Sequence, residues 1–144
     1  MKKNILEIII RCLEDFKCKT IYIFGSYATG EVNKESDIDI AFLSDRKIEK
    51  YDIFIKAQEI SSKVDKEVDL IDLKDSTTVF QNQVVRNGVV ILDREPIERE
   101  KFEIVVLKKY MELNELRKEL LDDYSENLEE FIRSRRSWWK KLLK

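Results

Sequence analysis

The sequence contains no histidine. This absence excludes Ser-His-Asp and Cys-His nucleophile systems, histidine-ligated zinc sites and acid–base catalysis by an imidazole. Any chemistry must therefore come from carboxylates, from a metal ion that carboxylates hold, from lysine or from backbone donors.

Cysteine, proline and glycine are scarce, with two, one and three residues in a chain of 144. Cys12 and Cys18 have no ligand-like companions, which disfavours a disulfide framework or a zinc site and makes a reducing cytoplasm the default expectation. No apolar run approaches the roughly 20 residues that would span a bilayer. With 43% hydrophobic and 39% charged residues, the chain is expected to form one compact, soluble, helix-rich unit.

The net charge of -2 does not favour a nucleic-acid binder, but the charges are unevenly distributed. Residues 133–144 include six basic and no acidic residues, which leaves 21 basic against 29 acidic residues in the rest of the chain. This basic tail also contains Trp138 and Trp139. It is open to three interpretations: a capped chain end, a segment that docks on an acidic partner, or a contact with nucleic acid through charge and stacking.

Hydrophobic periodicity predicts alternating helices and strands. Helices are predicted at 4–17, 47–64 and 77–87, and strands at 20–24, 37–43, 67–73 and 89–92, with a polar segment at 31–36. Pro96 opens a long helical region with a candidate break at 122–125. The predicted fold class is α/β (α+β): a small mixed sheet of about four strands packed with helices, as residues 1–105, followed by a helical C-terminal arm, 106–144.

Two aspartates on the second predicted strand are the centre of the functional prediction. Residues two apart on a strand point the same way, so Asp37 and Asp39 project from one face while Ile38 and its neighbours point to the other. Two adjacent carboxylates repel each other unless a cation lies between them. Magnesium favours such a site, with one or two carboxylates, waters and substrate phosphates as ligands.

Gly25 and Ser26 follow the first predicted strand, and ten residues separate them from this pair. A glycine there lets the backbone approach a phosphate, and the serine hydroxyl and nearby amides can donate hydrogen bonds to it. Together the two segments predict a triphosphate beside a metal site.

A third carboxylate is expected on the neighbouring strand, where the sequence EVDLIDL offers Asp69 and Asp72. Alternation places these two side chains on opposite faces. Asp69 is favoured because its early position in the strand brings it level with the first pair, and Asp72 suits a strand end or cap. The alternative interpretation of the whole pattern assigns it no chemistry: a half-buried strand with a solvated acidic face.

The segment Gly25 to Gly30, followed by Ser36 to Ile40, resembles the signature of the polymerase-β-like nucleotidyltransferase superfamily, and more narrowly its minimal nucleotidyltransferase (MNT) branch. Thr29 departs from the signature, since many relatives have Arg there. Three further features match the layout of that branch: the acidic strand at 67–73, the Asn87-Gly88 turn with its strand, and the start of the helix at 94–102. The resemblance covers about residues 4–105, and the C-terminal arm is not diagnostic.

The resemblance implies a role for each candidate residue. Gly25 and Ser26 would hold the triphosphate of ATP, and Asp37 and Asp39 would ligate one or two magnesium ions. Asp69 would complete the metal site and help to deprotonate the attacking hydroxyl.

The MNT branch also implies a biological partner. A short stand-alone member commonly resembles the antitoxin of a toxin–antitoxin pair, in which AMP passes from ATP to a tyrosine of a HEPN-domain ribonuclease toxin. The chain is therefore predicted to be a protein adenylyltransferase antitoxin that pairs with such a toxin. Two alternatives stay open: neutralisation of the toxin by binding alone, and a small-molecule or RNA acceptor for the same chemistry.

Overall fold

The computed structural model describes residues 3–30 and 36–142, with side chains described as far as 130 and at 133. Its helices and strands follow in the order α1 (Lys3–Cys12), β1 (Cys18–Phe24), α2 (Ser26–Thr29), β2 (Ile38–Ser44), α3 (Lys50–Val64), β3 (Val68–Asp72), α4 (Thr78–Asn87), β4 (Val89–Asp93) and α5 (Pro96–Leu142). Short 3₁₀ turns at Glu14–Phe16 and Leu73–Asp75 follow α1 and β3. The polar segment predicted at 31–36 lies, apart from Ser36, outside the described residues.

The four strands form one mixed sheet in the order β3-β2-β1-β4. β1 pairs antiparallel with both β2 and β4, whereas β2 and β3 are parallel. Parallel neighbours need a long crossover connection, and α3 provides it. The predicted fold class, a small mixed sheet packed with helices, is confirmed.

Hydrophobic residues cover both faces of the sheet. Alternate residues of β1 and β2 point to opposite sides, so Ile21 and Ile40 join a core with α1 and α3, while Tyr22 and Ala41 join a second cluster with α4 and the start of α5. Ile38, Ile40 and Phe42 are completely buried, as their alternation with the aspartates predicts. β2 is thus a central strand in which only Asp39 and Leu43 are partly exposed.

A hydrogen-bonded network joins the start of α5 to the sheet. The buried Tyr22 hydroxyl donates to Glu103 Oε1 at 2.8 Å. Arg99 pairs with the same carboxylate at 3.1 Å and with Asp93, at the end of β4, at 2.9 Å. The network fixes the first turns of α5 against β1 and β4.

Two local predictions were wrong, and one short helix was missed. α1 ends at Cys12 rather than 17, because the chain tightens into a 3₁₀ turn and Lys17 adopts a left-handed conformation with φ 51°. The break predicted at 122–125 does not occur, since α5 is continuous to Leu142. Aspartate and serine cost only a few tenths of a kcal/mol each in a helix, which is too little to interrupt it without Gly or Pro. The single-turn helix α2 was not predicted.

The chain divides into two compact units, one up to Leu107 and one from Lys108 onward. The predicted division at residue 105 stays a prediction about where the nucleotidyltransferase domain ends. No helix in the described ranges is both long and apolar enough to cross a membrane, α5 included.

Candidate active site

Gly25 lies at the junction between β1 and α2. Its backbone has φ 72° and ψ -148°, a combination that is essentially restricted to glycine. The Gly25 carbonyl accepts hydrogen bonds from the amides of Ala28 at 3.1 Å and Thr29 at 3.2 Å, which closes the turn. The amides of Ser26 and Tyr27 come before the two that close this turn, and amides at the start of a helix suit a phosphate.

Thr29 and Gly30 complete the same turn. The Thr29 hydroxyl donates to the Ser26 carbonyl at 3.3 Å, and the Gly30 amide donates to that carbonyl at 3.0 Å. Thr29, the departure from the family signature, therefore contributes a local hydrogen bond to the motif.

The absence of a side chain at Gly25 also makes room for Asp39. A β-carbon added at Gly25 would collide with the Asp39 carboxylate. This contact follows from the sheet register, because Phe24, the last residue of β1, pairs with Asp39 on β2. Glycine is needed here both for its backbone conformation and for the close approach of a carboxylate.

Asp39 and Asp69 lie directly opposite each other on the parallel strands β2 and β3. Asp39 is half-buried and Asp69 is exposed. Burial first, then the hydrogen bond and the charge of Asp69, and finally the charge of Asp37, raise the pKa of Asp39 to about 6. The structure thus brings two carboxyl groups together in a place where ionising both is unfavourable.

Asp37 lies just before β2 and is exposed. It acts on Asp39 through its charge, without a hydrogen bond to it. Among the described residues, no three acidic or cysteine side chains are close enough to form a complete metal-binding group. The structure therefore pairs two of the three predicted carboxylates and places the third nearby.

The donor chemistry of this site fits a magnesium ion. All the candidate ligands are carboxylate oxygens, which magnesium prefers, and that ion usually takes its remaining ligands from water and substrate phosphates. The raised pKa of Asp39 indicates that the negative charge of its ionised form is poorly stabilised. A cation between Asp39 and Asp69 would stabilise that charge. The metal-binding and catalytic roles of the three aspartates stay predictions.

Asp72 lies away from this pair. It is opposite Phe42, three positions further along β2 and β3 than Asp69 and Asp39. Its Oδ1 accepts a hydrogen bond from the Lys74 amide at 3.2 Å and caps the following 3₁₀ turn. Asp72 is a strand-end cap.

Lys66 is a residue near the motif that sequence patterns did not single out. Its ammonium lies 5.9 Å from the centre of the Tyr27 ring, within the range of a cation–π contact. Tyr27 is the residue after Ser26, and it packs against the core beneath α1 and α3. The sequence offered only a weak indication of this contact, since Lys66 is a single lysine two residues before the acidic strand.

The polymerase β nucleotidyltransferase domain matches residues 7–97, which include Gly25, Ser26 and all three aspartates. The chain belongs to this nucleotidyltransferase family. The resemblance that was drawn from the glycine-serine and aspartate motifs is confirmed.

Relatives within this nucleotidyltransferase family include named enzymes. The chain is 35% identical over 121 residues to the protein adenylyltransferase MntA of Shewanella oneidensis, covering 83% of this chain and 86% of that protein. It is 29% identical over 126 residues to the protein adenylyltransferase MntA of Aphanizomenon flos-aquae, covering 79% and 80%.

Solved structures agree with these relatives. A chain from a toxin–antitoxin crystal structure with AMP-PNP superimposes with a TM-score of 0.75 at 34% identity, over 82% of this chain and 96% of that one. A chain from the complex of a tri-AMPylated Shewanella oneidensis HEPN toxin with its MNT antitoxin gives a TM-score of 0.72 at 32% identity, over 85% and 98%.

Proposed function

We propose that this protein is an adenylyltransferase antitoxin, which transfers AMP from ATP to a tyrosine of a cognate HEPN-domain toxin and so neutralises it. One observation supports this most directly: Asp39, Asp69 and Gly25 converge at one end of the sheet, in a chain 35% identical to a protein adenylyltransferase. The toxin partner is supported by the relatives of known structure, which are a toxin–antitoxin pair with AMP-PNP and an AMPylated HEPN toxin bound to an MNT antitoxin.

The residues of the site suit an in-line displacement at the α-phosphorus of ATP. We assign the Gly25-Ser26 corner to the triphosphate, where backbone amides and the serine hydroxyl donate to its oxygens. The acceptor hydroxyl oxygen forms a bond to the α-phosphorus, and the bond from that phosphorus to the bridging oxygen of the β-phosphate breaks to release pyrophosphate. We assign to Asp69, the exposed member of the carboxylate pair, the role of taking the proton of the attacking hydroxyl.

Asp37, Asp39 and Asp69 would hold magnesium. Bound magnesium would neutralise charge on the attacking and leaving oxygens. Gly25 and Asp69 restrict the position of the Asp39 side chain, so we assign to Asp39 the most rigid ligand position of the site. In this proposal the reaction takes place in the cytoplasm, which is consistent with two cysteines that are both free and buried.

The decisive experiment is intact mass spectrometry of the HEPN partner after incubation with this protein, ATP and magnesium. We expect mass gains in whole AMP units. Asp39→Asn should slow the transfer at least about a hundredfold, because roughly 3 kcal/mol of transition-state stabilisation corresponds to that factor. Asp72→Asn is the matched control: it changes an aspartate three residues from Asp69 that caps a turn, and it should keep full activity.

Neutralisation by binding alone makes a different prediction. A stable complex with the toxin, no mass gain and no effect of Asp39→Asn on neutralisation would contradict the proposed enzymatic activity.

A melting shift gives a simpler test, because a protein that binds ATP and magnesium is stabilised by mass action, by about 2.7 kcal/mol at a ligand concentration 100 times Kd. A small-molecule or RNA acceptor would give consumption of ATP with no modification of the toxin.

A further inference from the structure

Two aromatic rings lie next to the carboxylates of the site. Phe24, the last residue of β1, is paired with Asp39 on β2. Residues directly opposite each other on antiparallel strands have their side chains on the same face, with β-carbons about 5 Å apart. Phe80, in the first turn of α4, meets the Phe24 ring edge to face, with ring centres 5.4 Å apart and an angle of 84° between the planes. We call Phe24 and Phe80 the aromatic pair.

The aromatic pair and the carboxylates share one face of the sheet. Both rings pack against the cluster that contains Ala41, and Ala41 is two residues from Asp39 on β2, so the two side chains point the same way. Asp69 belongs to this face as well, because Leu70, the next residue on β3, is part of the core on the opposite side. The rings and the carboxylates therefore line a common surface.

The rings are held in place but are only half-buried. The Thr77 side chain caps α4 by accepting a hydrogen bond from the Phe80 amide at 3.2 Å. The next residue, Gln81, is buried, and its Nε2 donates to the Leu73 carbonyl at 2.8 Å. In an edge-to-face pair, the ring that points its edge at the other keeps both of its own faces clear of that partner, so a third flat group can stack on it.

The aromatic pair lies on the nucleotide side of the site. The strand order puts Asp69 and Phe24 on opposite sides of Asp39. The proposed function assigns the proton of the acceptor to Asp69, so the acceptor approaches from β3. The Gly25-Ser26 corner, assigned to the triphosphate, follows Phe24 directly in the chain. Because a single ribose separates the base of ATP from its α-phosphorus, the base must lie close to the carboxylates.

We propose that the aromatic pair binds the nucleobase of the donor nucleotide by stacking. This inference rests on the proposed function, which takes ATP as the donor. Every base has an aromatic face, so stacking on a side-chain ring strengthens binding whichever base is present. The aromatic pair thus provides affinity for the nucleoside part of the donor, and the Gly25-Ser26 corner and the metal provide affinity for the phosphates.

The test compares two ligands of the full chain by calorimetry in excess magnesium: ATP, and inorganic tripolyphosphate, which has the phosphates without the nucleoside. Phe80→Leu keeps an apolar side chain but removes the ring, so it should raise the Kd of ATP about five- to a hundredfold and that of tripolyphosphate less than about twofold. Phe80→Tyr keeps the ring and should bind ATP as the wild type does. Phe54→Leu is the matched control, because Phe54 is 58% exposed on α3, and it should change neither Kd.

Unchanged binding of tripolyphosphate also shows that a variant is folded. Phe24→Leu, the second test variant, should weaken ATP selectively as well. Equal weakening of both ligands in Phe80→Leu and Phe24→Leu would mean that the rings only support the fold, and the inference would be wrong. It would also be wrong if Phe80→Tyr lost as much affinity for ATP as Phe80→Leu. A wild type that binds neither ligand would contradict the proposed function itself, whereas ATP binding that does not depend on either ring would contradict the stacking alone.

Discussion

Two glycines in the motif adopt left-handed φ values but have different surroundings. Gly25, with φ 72°, would direct a β-carbon into the Asp39 carboxylate, whereas a β-carbon on Gly30, with φ 83°, would meet nothing within 4 Å. Substitutions at these two positions therefore separate the cost of backbone strain from the cost of displacing the Asp39 carboxylate.

Gly25→Ala should lower the free energy of unfolding by about 1–3 kcal/mol and abolish adenylyl transfer, because Asp39 must move. Gly30→Ala should cost about 1 kcal/mol from backbone strain alone and keep most of the activity. Urea denaturation and the mass-gain assay measure both effects. Equal loss of activity in the two variants would contradict the packing of Asp39 against Gly25.

Protonation of Asp39 couples the site to pH. Its pKa of about 6 is higher than the ordinary value of 3.8, so the folded protein keeps the neutral carboxyl to higher pH than the unfolded chain does. This contribution to stability is present at low pH and is lost as pH rises through about 6. A bound cation favours the ionised form and offsets that loss.

We therefore expect millimolar magnesium to raise the melting temperature more at about pH 8 than at about pH 5. Asp39→Asn should remove most of this difference, and Asp52→Asn, an exposed aspartate on α3, should leave it unchanged. Thermal denaturation at the two pH values with and without magnesium measures the effect. A magnesium shift that is the same at both pH values would contradict a metal site at Asp39.

At the scale of the elements, the attachment of α5 to the sheet depends on a buried polar network. Burial and the hydrogen bond to Glu103 raise the pKa of Tyr22, so the hydroxyl remains a donor at any physiological pH. The Glu103 carboxylate has a second partner in Arg99, and it therefore stays paired when the hydroxyl is removed.

Tyr22→Phe should lower the free energy of unfolding by about 1.5–3 kcal/mol, the value of one hydrogen bond to a charged group. Tyr51→Phe is the matched control, because Tyr51 is 72% exposed and should change stability by less than about 0.5 kcal/mol. Chemical denaturation measures both. A Tyr22→Phe variant as stable as the wild type would mean that the network does not hold α5 to β1.

For the whole molecule, the second unit differs from the first, because from Lys108 to Leu142 it consists of one helix whose residues 114–130 are all exposed. A single helix without tertiary contacts is marginal in water, so this part of α5 should open more often than the sheet. The amides of residues 114–130 should therefore exchange with solvent faster than those of β2 in a hydrogen-exchange experiment. Equal protection in the two regions would contradict this difference in local stability.

Several features of the site were predictable from residues that are close in sequence. The alternation of Asp37, Ile38 and Asp39 gave the buried and polar faces of β2, and Gly25-Ser26 marked the end of β1. The motif spacing indicated the family, and the lack of histidine left carboxylate and metal chemistry as the main option. These properties follow from periods and turns of a few residues, which local sequence determines.

The tertiary structure decided which distant residues meet. Parallel pairing of β2 with β3 placed Asp69, rather than Asp72, opposite Asp39, and antiparallel pairing of β1 with β2 brought Gly25 against the same carboxylate. Register between strands depends on packing across the whole sheet, because a slip of one residue reverses every side chain and no local pattern fixes it.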